Sequence, residues 1–321
     1  MTNVLIVGAG RMGLRHLRGV AEEARNITVV YHKMDVEQQV HDVLKDASFE
    51  GAVDIVPSIK QAGNNFDAAI LTATAEGRAE RFEQVLSLNI NNILLEKPLE
   101  QSRREVHRMQ AMAVQSKSDI RCNHVYREVA LFEDIAGVDA PVNMTVNAGA
   151  IGLGCGGIHW IDLALYLSNA GSGKLLNGKL QNTPIASGRG PQFRDFGGVG
   201  LFEFRDGSTL SLCVDSESSA GPVCVITQAH RQFVIDNMGR IMVHERGEEV
   251  TLPNYLYGQG YKSEQDDSLT KLSSADQTHL WMKHVKNSRQ SKLPTLNEAA
   301  IAHELLFDLL EIRGDKDFPI T

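Results

Sequence analysis

The chain begins with a short apolar run, Val4-Leu5-Ile6-Val7, which leads directly into Gly8-Ala9-Gly10-Arg11-Met12-Gly13. The first glycine of such a turn permits a tight bend, the second lets a ligand approach the backbone, and the third lets a helix pack closely on the strand. The residues that follow have helical spacing, and the first N–H groups of that helix would form an anion site. The pattern predicts the pyrophosphate-binding turn of a dinucleotide-binding βαβ unit. The alternative is a glycine-rich turn that binds no nucleotide.

Length and charge narrow the class of protein. A chain of 321 residues is roughly twice as long as a typical domain, which favours two cores. The formal net charge of -8 supplies no positive field for a polyanion, so we expect no nucleic-acid partner. No apolar run approaches the roughly 18 residues that a membrane helix needs, so we expect neither a membrane span nor a signal peptide. The cysteines follow no disulfide or zinc pattern, which favours reduced thiols and a cytoplasmic location.

Short apolar runs and helical spacing alternate through the first 122 residues. Strands are predicted at 3–7, 27–31, 67–71, 92–95 and 119–122, and helices at 12–24, 36–47, 77–88 and 102–116. Repeated βα units favour a parallel, doubly wound sheet, because each right-handed crossover covers one of its faces. We therefore predict a dinucleotide-binding domain over residues 1–122.

From about residue 140, strand-like runs follow one another directly. They are predicted at 142–149, 199–205, 208–214, 223–229 and 241–245, with turn residues such as Arg205-Asp206-Gly207-Ser208 between them. Consecutive strands joined by hairpins favour an antiparallel sheet. Helices are predicted at about 157–168, 275–288 and 297–312. Residues 123–321 are therefore assigned to a second domain, for substrate binding and oligomerisation.

Four motifs together resemble the Gfo/Idh/MocA oxidoreductases. They are the glycine turn, Glu96-Lys97-Pro98 after the fourth strand, Tyr126-Arg127 after the fifth, and His159-x-x-Asp162 at the start of a later helix. Their order and spacing extend the resemblance over nearly the whole chain. It implies a Rossmann domain followed by an α/β domain with an open, mostly antiparallel sheet. Because such a sheet can present one broad apolar face, we expect a homodimer or homotetramer.

The end of the second strand bears on the choice between NAD and NADP. An NAD site usually has an acidic residue about 20 positions after the glycine motif, where it binds the ribose hydroxyls. Tyr31, His32 and Lys33 occupy those positions, and Lys33, with His32 when protonated, would attract a 2′-phosphate. We expect either cofactor to bind and NADP to be favoured. In the alternative, His32 and Lys33 are solvated and Asp35 contacts the ribose.

Further cofactor contacts are expected where the third strand ends. The family lines the nicotinamide ribose there, usually with Thr-Pro and a later histidine, whereas this chain has Thr74-Ala75 and Arg78. We interpret His16, on the first helix, as a packing or capping residue, and Arg11 as facing a phosphate or solvent. The predicted cofactor-binding residues are Gly8, Gly10, Arg11, Met12, Gly13, His32, Lys33, Thr72, Ala73, Thr74, Glu96 and Lys97.

Hydride transfer to or from an alcohol needs a proton carrier and a cation that stabilises the developing alkoxide. Lys97 resembles the catalytic lysine of the family, and Pro98 restricts its backbone to extended conformations, which helps to aim the side chain. His159 aligns with the family's general acid/base, and histidine titrates near neutrality. The predicted catalytic residues are Lys97 and His159. A surface lysine and a merely buried histidine are the alternatives.

The segment before His159 departs from the family, which often has Asp-x-x-x-His. Cys155 stands at the position of that Asp, and Asp162 aligns with a second Asp that holds substrate hydroxyls. A neutral thiol cannot orient an imidazole as a carboxylate does. Three interpretations stay open: a branch with a differently shaped substrate site, loss of catalysis, and a Cys155–His159 metal pair. Because two ligands make no site, we expect no metal.

Substrate contacts are expected after the fifth strand and in the loop 189–198, where Arg194 and Asp195 are candidates. Arginine binds carboxylates and phosphates bidentately, which suits an acidic or nucleotide-linked sugar, although structural roles are the alternative. The predicted substrate-binding residues are His124, Tyr126, Arg127, Cys155, Asp162 and Arg194. The resemblance implies an NAD(P)-dependent oxidoreductase acting on a secondary alcohol or ketone of a sugar or a sugar-derived compound. A non-catalytic NAD(P)-sensing protein on the same fold is the alternative.

Overall fold

The computed structural model describes residues 2–31, 36–236, 239–247, 261–266, 272–315 and 317–321. The chain divides into two compact units. The first contains Met1–Glu128, Leu272–His303 and Thr321, and the second contains Val129–Lys271 and Glu304–Ile320. The sequence division assigned everything after residue 122 to one domain, whereas the structure groups Leu272–His303 with the N-terminal strands. The functional division into a cofactor domain and a substrate domain remains a prediction.

The first unit is built on a six-stranded parallel sheet in the order β3-β2-β1-β4-β5-β6. Its strands are β1 (Thr2–Val7), β2 (Ala24–Val30), β3 (Ala52–Val56), β4 (Ala68–Leu71), β5 (Asn92–Leu95) and β6 (Asp119–Cys122). The connecting helices are α1 (Arg11–Ala21), α2 (Val36–Asp46), α3 (Arg78–Leu86) and α4 (Arg103–Ala113). The predicted Rossmann sheet is confirmed, and its strand order reverses between β1 and β4, the usual place for a ligand.

The degree of burial explains which strands could be predicted from the sequence. In β4 every residue is buried, as expected for a parallel strand covered on both faces. The edge strand β3 was not predicted, because its residues are only half-buried or exposed and Asp54 interrupts the apolar run.

A late helix joins this first core and accounts for the grouping of Leu272–His303. Helix α7 (Ser274–Lys286) comes after α5 (Ala130–Ala136) and α6 (Ile158–Ser168) in the chain. It starts with a capping box between Ser273 and Asp276. It packs against α1 at Gly19, where an added Cβ would lie well under 3.0 Å from the carbonyl oxygen of Ala275. Trp281 belongs to the same apolar cluster as residues of β1 and β2. Close backbone approach therefore draws this segment into the first unit.

The second unit contains an eight-stranded sheet in the order β14-β13-β12-β11-β7-β10-β9-β8. Its strands are β7 (Val142–Ala148), β8 (Gly173–Ala186), β9 (Arg194–Phe204), β10 (Thr209–Val214), β11 (Val223–Gln228), β12 (Arg231–Asp236), β13 (Arg240–Arg246) and β14 (Tyr261–Asp266). Every neighbouring pair is antiparallel except β7 with β10. The mostly antiparallel sheet is thus confirmed. The sequence missed β8, a largely exposed edge strand that is rich in polar residues, as well as β12 and β14.

Two helices of this unit are α5 (Ala130–Ala136) and α6 (Ile158–Ser168), and α8 (Leu296–Leu310) follows later in the chain. Along β7, Val142, Met144 and Val146 are buried while the residues between them are exposed. One face of the sheet therefore packs in the core, and the other is open. No helix in the described part of the chain is long and apolar enough to cross a membrane.

Candidate functional site

The glycine turn lies at the carboxyl end of β1, between the ends of β2 and β4. Gly8 has a φ of 105°, which favours glycine, and its N–H donates to the carbonyl oxygen of Val30 at 3.0 Å. On the other side, the Thr72 hydroxyl donates to the carbonyl oxygens of Val7 and Gly8. The turn is therefore held from both neighbouring strands at the point where the strand order reverses.

The start of α1 fits the phosphate groups of a dinucleotide. Gly10 is the N-cap, and an added Cβ there would meet nothing within 4 Å, so the backbone is open to a ligand. No described side chain caps this helix, and its first turn holds no acidic residue, which leaves its N–H groups and dipole suited to an anion. Arg11 is exposed and Met12 is half-buried beside it.

The other predicted cofactor-binding residues differ in burial and in hydrogen bonding. Thr72 is buried and its hydroxyl is engaged by the turn, whereas Ala73 and Thr74 are half-buried at the end of β4. His32 and Lys33, with Asp35, lie outside the described residues. The assignment of these residues to cofactor binding therefore remains a prediction.

Glu96, Lys97 and Pro98 follow β5 at the same edge of the sheet as the glycine turn. The N–H of Glu96 still pairs with the carbonyl oxygen of Leu71 at 3.0 Å, so the ladder extends one residue beyond the strand. Lys97 is 9% exposed, and the Lys97–Pro98 peptide is cis. Because β1 and β5 are parallel members of one sheet, the topology brings Lys97 and the glycine turn to one edge.

A buried arginine that sequence reasoning did not assign to the site underlies this segment. Arg78 is fully buried, and its Nη1 donates to the main-chain oxygens of Glu96 and Pro98 and, at 3.4 Å, of Leu99. Its Nη2 donates to the carbonyl oxygen of Ala73. The guanidinium thus ties the segment after β4 to the segment that carries Lys97. The only sequence signal was its place near the family's histidine.

The Glu96 side chain points into the protein rather than toward the surface. Its Oε1 lies 2.8 Å from His16 Nε2 and accepts a hydrogen bond from Asn123 Nδ2 at 2.6 Å. His16 is fully buried, and its Nδ1 lies 2.7 Å from Thr278 Oγ1. Burial by itself would raise the pKa of Glu96, but the hydrogen bond from His16 and the charges of His16 and Lys97 outweigh it and lower that pKa to about 2. The structure thus gives His16, interpreted from the sequence as a packing or capping residue, a polar partner.

The segment after β6 holds three predicted substrate residues. Arg127 is buried, and its Nη1 lies 3.1 Å from Glu298 Oε1. His124 is also buried, with its ring edge-on to that of His303 at a centroid distance of 6.2 Å, while Tyr126 is half-buried. Any anion at Arg127 would have to compete with the Glu298 carboxylate.

In the second unit, a π-helical turn at Gly152–Gly157 leads into α6, which carries His159 and Asp162. Cys155 is exposed, His159 is 9% exposed and Asp162 is fully buried. The helix predicted at about 157–168 is thus preceded by a π-helical turn, and that turn contains Cys155. Asp162 is therefore enclosed by protein atoms, and its assignment to substrate binding remains a prediction.

Asp195, near the start of β9, supplies a carboxylate beside Cys155. It accepts hydrogen bonds from the backbone N–H groups of Gly154 at 2.9 Å and Cys155 at 2.7 Å. An added Cβ on Gly152 would lie well under 3.0 Å from this carboxylate, so the turn needs a glycine there. The neighbouring Arg194 is exposed. Cys155 stands where the resemblance implies an Asp, and a carboxylate from β9 holds the backbone of this turn.

Among the described residues, no group of three or more His, Cys, Asp and Glu side chains has an arrangement that could hold a metal ion.

Comparisons with known proteins support the assignment made from the motifs. Residues 2–124 match the model of the Gfo/Idh/MocA family, described as an oxidoreductase family with an NAD-binding Rossmann fold. The N-terminal part of the chain thus matches the family that the four motifs resemble, an oxidoreductase family with an NAD-binding Rossmann fold. A sequence comparison with curated proteins finds no match.

Solved structures share the fold of the whole chain. A levoglucosan dehydrogenase in complex with NADH has a TM-score of 0.75 at 13% identity, with all of both chains covered. UDP-N-acetylglucosamine 3-dehydrogenase GnnA from Acidithiobacillus ferrooxidans has a TM-score of 0.71 at 16% identity, with 95% of each chain covered. An oxidoreductase from Agrobacterium radiobacter, in complex with NAD+, L-tartaric acid and magnesium, has a TM-score of 0.71 at 12% identity and covers 98% of this chain and 96% of its own.

Proposed function

We propose that this protein is an NAD(P)-dependent oxidoreductase that interconverts a secondary alcohol and a ketone on a sugar or sugar-derived substrate. One observation carries the proposal: Lys97 follows β5 at the sheet edge where the uncapped start of α1 and the open backbone of Gly10 fit a dinucleotide. A bound nicotinamide would supply or remove the hydride. A lysine beside it can stabilise the charge that develops on the substrate oxygen.

The proposal gives each predicted residue a separate task. The N–H groups after Gly10 bind the pyrophosphate, with Arg11 free to turn toward a phosphate group. The Lys97 ammonium stabilises the alkoxide, and the His159 imidazole takes or returns the hydroxyl proton, as the resemblance implies. Asp195 fixes the turn before His159 through the N–H groups of Gly154 and Cys155.

We propose that NADP is accepted and favoured over NAD. The strand β2 ends at Val30, whose carbonyl oxygen accepts a hydrogen bond from Gly8 N–H, so the end of this strand lies next to the glycine turn. No acidic residue stands among Tyr31, His32 and Lys33, whereas a cationic Lys33 attracts a 2′-phosphate. Fluorescence titration with NADH and NADPH tests this, and clearly tighter binding of NADH would contradict it.

The substrate class is proposed from the relatives and from charge. Levoglucosan dehydrogenase and UDP-N-acetylglucosamine 3-dehydrogenase are named for sugar substrates, which supports a small sugar-like substrate here. Arg194 is exposed and suits an acidic or nucleotide-linked sugar, whereas Arg127 is engaged by Glu298. We therefore propose that Arg194, rather than Arg127, binds the anionic group of the substrate.

We also propose that the protein is a cytoplasmic homodimer or homotetramer that associates through the open face of the second sheet. Val199 on β9 and Val223 on β11 are exposed, and strand register places them in one row with Cys213 and Asn147 between them. Leu201 is exposed in the next row. Apolar residues in registered rows favour a second sheet as the partner. Sedimentation of the wild type and of a Val199→Glu variant tests this proposal, and a monomeric wild type would contradict it.

The function is tested by following absorbance at 340 nm with NAD or NADP and a panel of sugars, amino sugars, nucleotide sugars and polyols. Turnover that is lost in Lys97→Met and in His159→Ala supports the oxidoreductase. Cys155 at the position of the family's Asp favours one competing function, a non-catalytic NAD(P) sensor. Tight dinucleotide binding with no turnover across the panel would establish that alternative.

A further inference from the structure

We infer that His16 is a positioning residue that holds a proton against Glu96 and thereby fixes the segment carrying Lys97. The inference rests on the proposed function, in which Lys97 acts on the substrate. It concerns a fully buried histidine on α1, six residues after the N-cap glycine of the proposed phosphate site.

The neighbours of His16 determine which of its ring nitrogens carry hydrogen. Thr278 donates its only hydroxyl hydrogen to the carbonyl oxygen of Ser274 at 2.6 Å, so its oxygen can only accept from His16 Nδ1. Nδ1 is therefore protonated. On the other side, Nε2 lies 2.8 Å from Glu96 Oε1, and one hydrogen must occupy that contact.

The surroundings of Glu96 place that hydrogen on His16. Asn123 Nδ2 donates to the same Oε1 at 2.6 Å, which favours the ionised carboxylate. His16 is then an imidazolium with both ring nitrogens donating, and it forms a buried ion pair with Glu96.

This ion pair bears on Lys97 because Glu96 is the preceding residue. A side chain held inward by His16 and Asn123 restricts the backbone from which Lys97 extends. Loss of the His16 charge would leave a buried carboxylate without its ion-pair partner, a costly state that the segment would relieve by moving or by binding a proton. His16 is thus placed to set both the direction and the electrostatic surroundings of Lys97.

Four elements converge to build this arrangement. His16 comes from α1, Thr278 from α7, Glu96 from the end of β5 and Asn123 from the end of β6. Gly19 permits the close approach of α7 that brings Thr278 to His16, because an added Cβ there would lie well under 3.0 Å from Thr278 Cβ. The helix that starts at the proposed phosphate site is therefore linked to the Lys97 segment through the buried contact between His16 Nε2 and Glu96 Oε1.

The protonation state is tested first, on the wild-type protein, by 15N NMR of the histidine rings at neutral pH. We expect both nitrogens of the His16 ring to be protonated, with assignment from the missing signal of His16→Gln. A neutral ring with one bare nitrogen would overturn the inference. This measurement needs no substrate, so it stands even if no turnover is found and the proposed function fails.

The positioning role is tested with His16→Gln, which keeps a donor to Glu96 but removes the charge. We expect kcat to fall by about 10- to 100-fold with NADPH affinity and substrate KM nearly unchanged, because the misplaced group is a catalytic one. The double variant His16→Gln/Glu96→Gln removes both charges and is expected to recover part of that loss. Additive losses in the double variant would show mere structural damage and overturn the inference.

An activity-independent measurement completes the test. The rate at which an amine-labelling reagent modifies Lys97, followed by mass spectrometry, should rise in His16→Gln as the segment loosens, while exposed Lys174 serves as an internal control. Thr278→Ser keeps the acceptor and should retain the wild-type rate, whereas Thr278→Val should resemble His16→Gln. An unchanged Lys97 labelling rate in both His16→Gln and Thr278→Val would overturn the positioning role.

Discussion

Gly13 packs directly on Gly8: a Cβ added to Gly13 would lie well under 3.0 Å from the carbonyl oxygen of Gly8 and 2.9 Å from Thr72 Oγ1. The neighbouring Gly10 has nothing within 4 Å of the same hypothetical atom. Two glycines of one turn are therefore required for different reasons. Gly13 permits packing within the protein, and Gly10 leaves room for a ligand.

A pair of alanine substitutions separates these roles. Gly13→Ala should lower the free energy of unfolding of the ligand-free protein by about 1–3 kcal/mol, because the new methyl group overpacks the turn. Gly10→Ala should change it by less than about 1 kcal/mol and should weaken dinucleotide binding instead. Urea denaturation and NADPH fluorescence titration measure the two effects. Equal effects of the two variants on both measurements would contradict this assignment.

Lys97 should be needed for turnover and much less for dinucleotide affinity. Lys97→Met keeps most of the apolar length but loses the ammonium group, so kcat should fall by about 100-fold or more. NADPH affinity should stay within about threefold of the wild type, since the proposed phosphate site lies at the start of α1. Lys174→Met, which removes an exposed lysine paired with Glu203, is the matched control and should keep full activity. A Lys97→Met enzyme with most of its activity would remove Lys97 from the mechanism.

Much of the fold was predictable because its signals are local. Repeated βα units and a glycine turn led to the Rossmann sheet, and consecutive strands led to the antiparallel one. The edge strand β3 gave no such signal, since a strand that buries little has little need of an apolar run. The grouping of Leu272–His303 with the first unit depends on the contact between Gly19 and Ala275, which are distant in sequence.

The candidate site also contains residues that a local motif predicts and residues whose contacts are distant in sequence. Lys97 was found because its neighbours Glu96 and Pro98 form a contiguous motif. The contact of His16 with Thr278 spans 262 positions, and the contact of Cys155 with Asp195 spans 40. No local pattern encodes such pairs. Residues of these types can be structural or functional, and only the folded structure shows which polar groups are buried together.

Replacing Arg78 with lysine should lower both the stability and the activity of the protein. Its planar guanidinium donates to carbonyl groups on two segments, those of Ala73 and of Glu96 and Pro98, whereas a lysine ammonium is a single point donor. Arg78→Lys should therefore leave buried carbonyls unsatisfied and lower the free energy of unfolding by about 2–4 kcal/mol. Because the Lys97 segment loses its support, kcat should fall as well.

The same helix offers a control for this substitution. Arg81 also donates to main-chain oxygens, those of Glu76 and Gly77, but near the surface. Arg81→Lys should cost less than about 1 kcal/mol in urea denaturation. If Arg78→Lys lowered the free energy of unfolding no more than Arg81→Lys does, the buried carbonyl contacts of Arg78 would not stabilise the protein more than the surface contacts of Arg81.

The buried carboxylate of Glu96 should make the protein sensitive to acid. Its pKa of about 2 in the folded state lies below the ordinary value of 4.5, because the hydrogen bond and charge of His16 and the charge of Lys97 outweigh burial, the largest single influence. The unfolded chain therefore takes up a proton at a pH where the folded chain does not. This contribution to stability is complete above pH 4.5 and is lost as the pH falls toward 2. Between pH 5 and pH 3 the loss should be about 2 kcal/mol, and Glu96→Gln should lack it.

Glu100 provides a control of opposite sign. Burial raises its pKa despite hydrogen bonds from the N–H groups of Ala79 and Gln101, so the folded state favours the protonated form. Its contribution is present below pH 4.5 and is lost as the pH rises through its folded pKa. Urea denaturation at several pH values should therefore show a shallower rise in stability from pH 3 to 5 for Glu96→Gln than for the wild type. The rise for Glu100→Gln should be at least as steep as that of the wild type. Identical profiles for Glu96→Gln and the wild type would mean that Glu96 is not held ionised in the folded protein, and the ion pair with His16 would have to be abandoned.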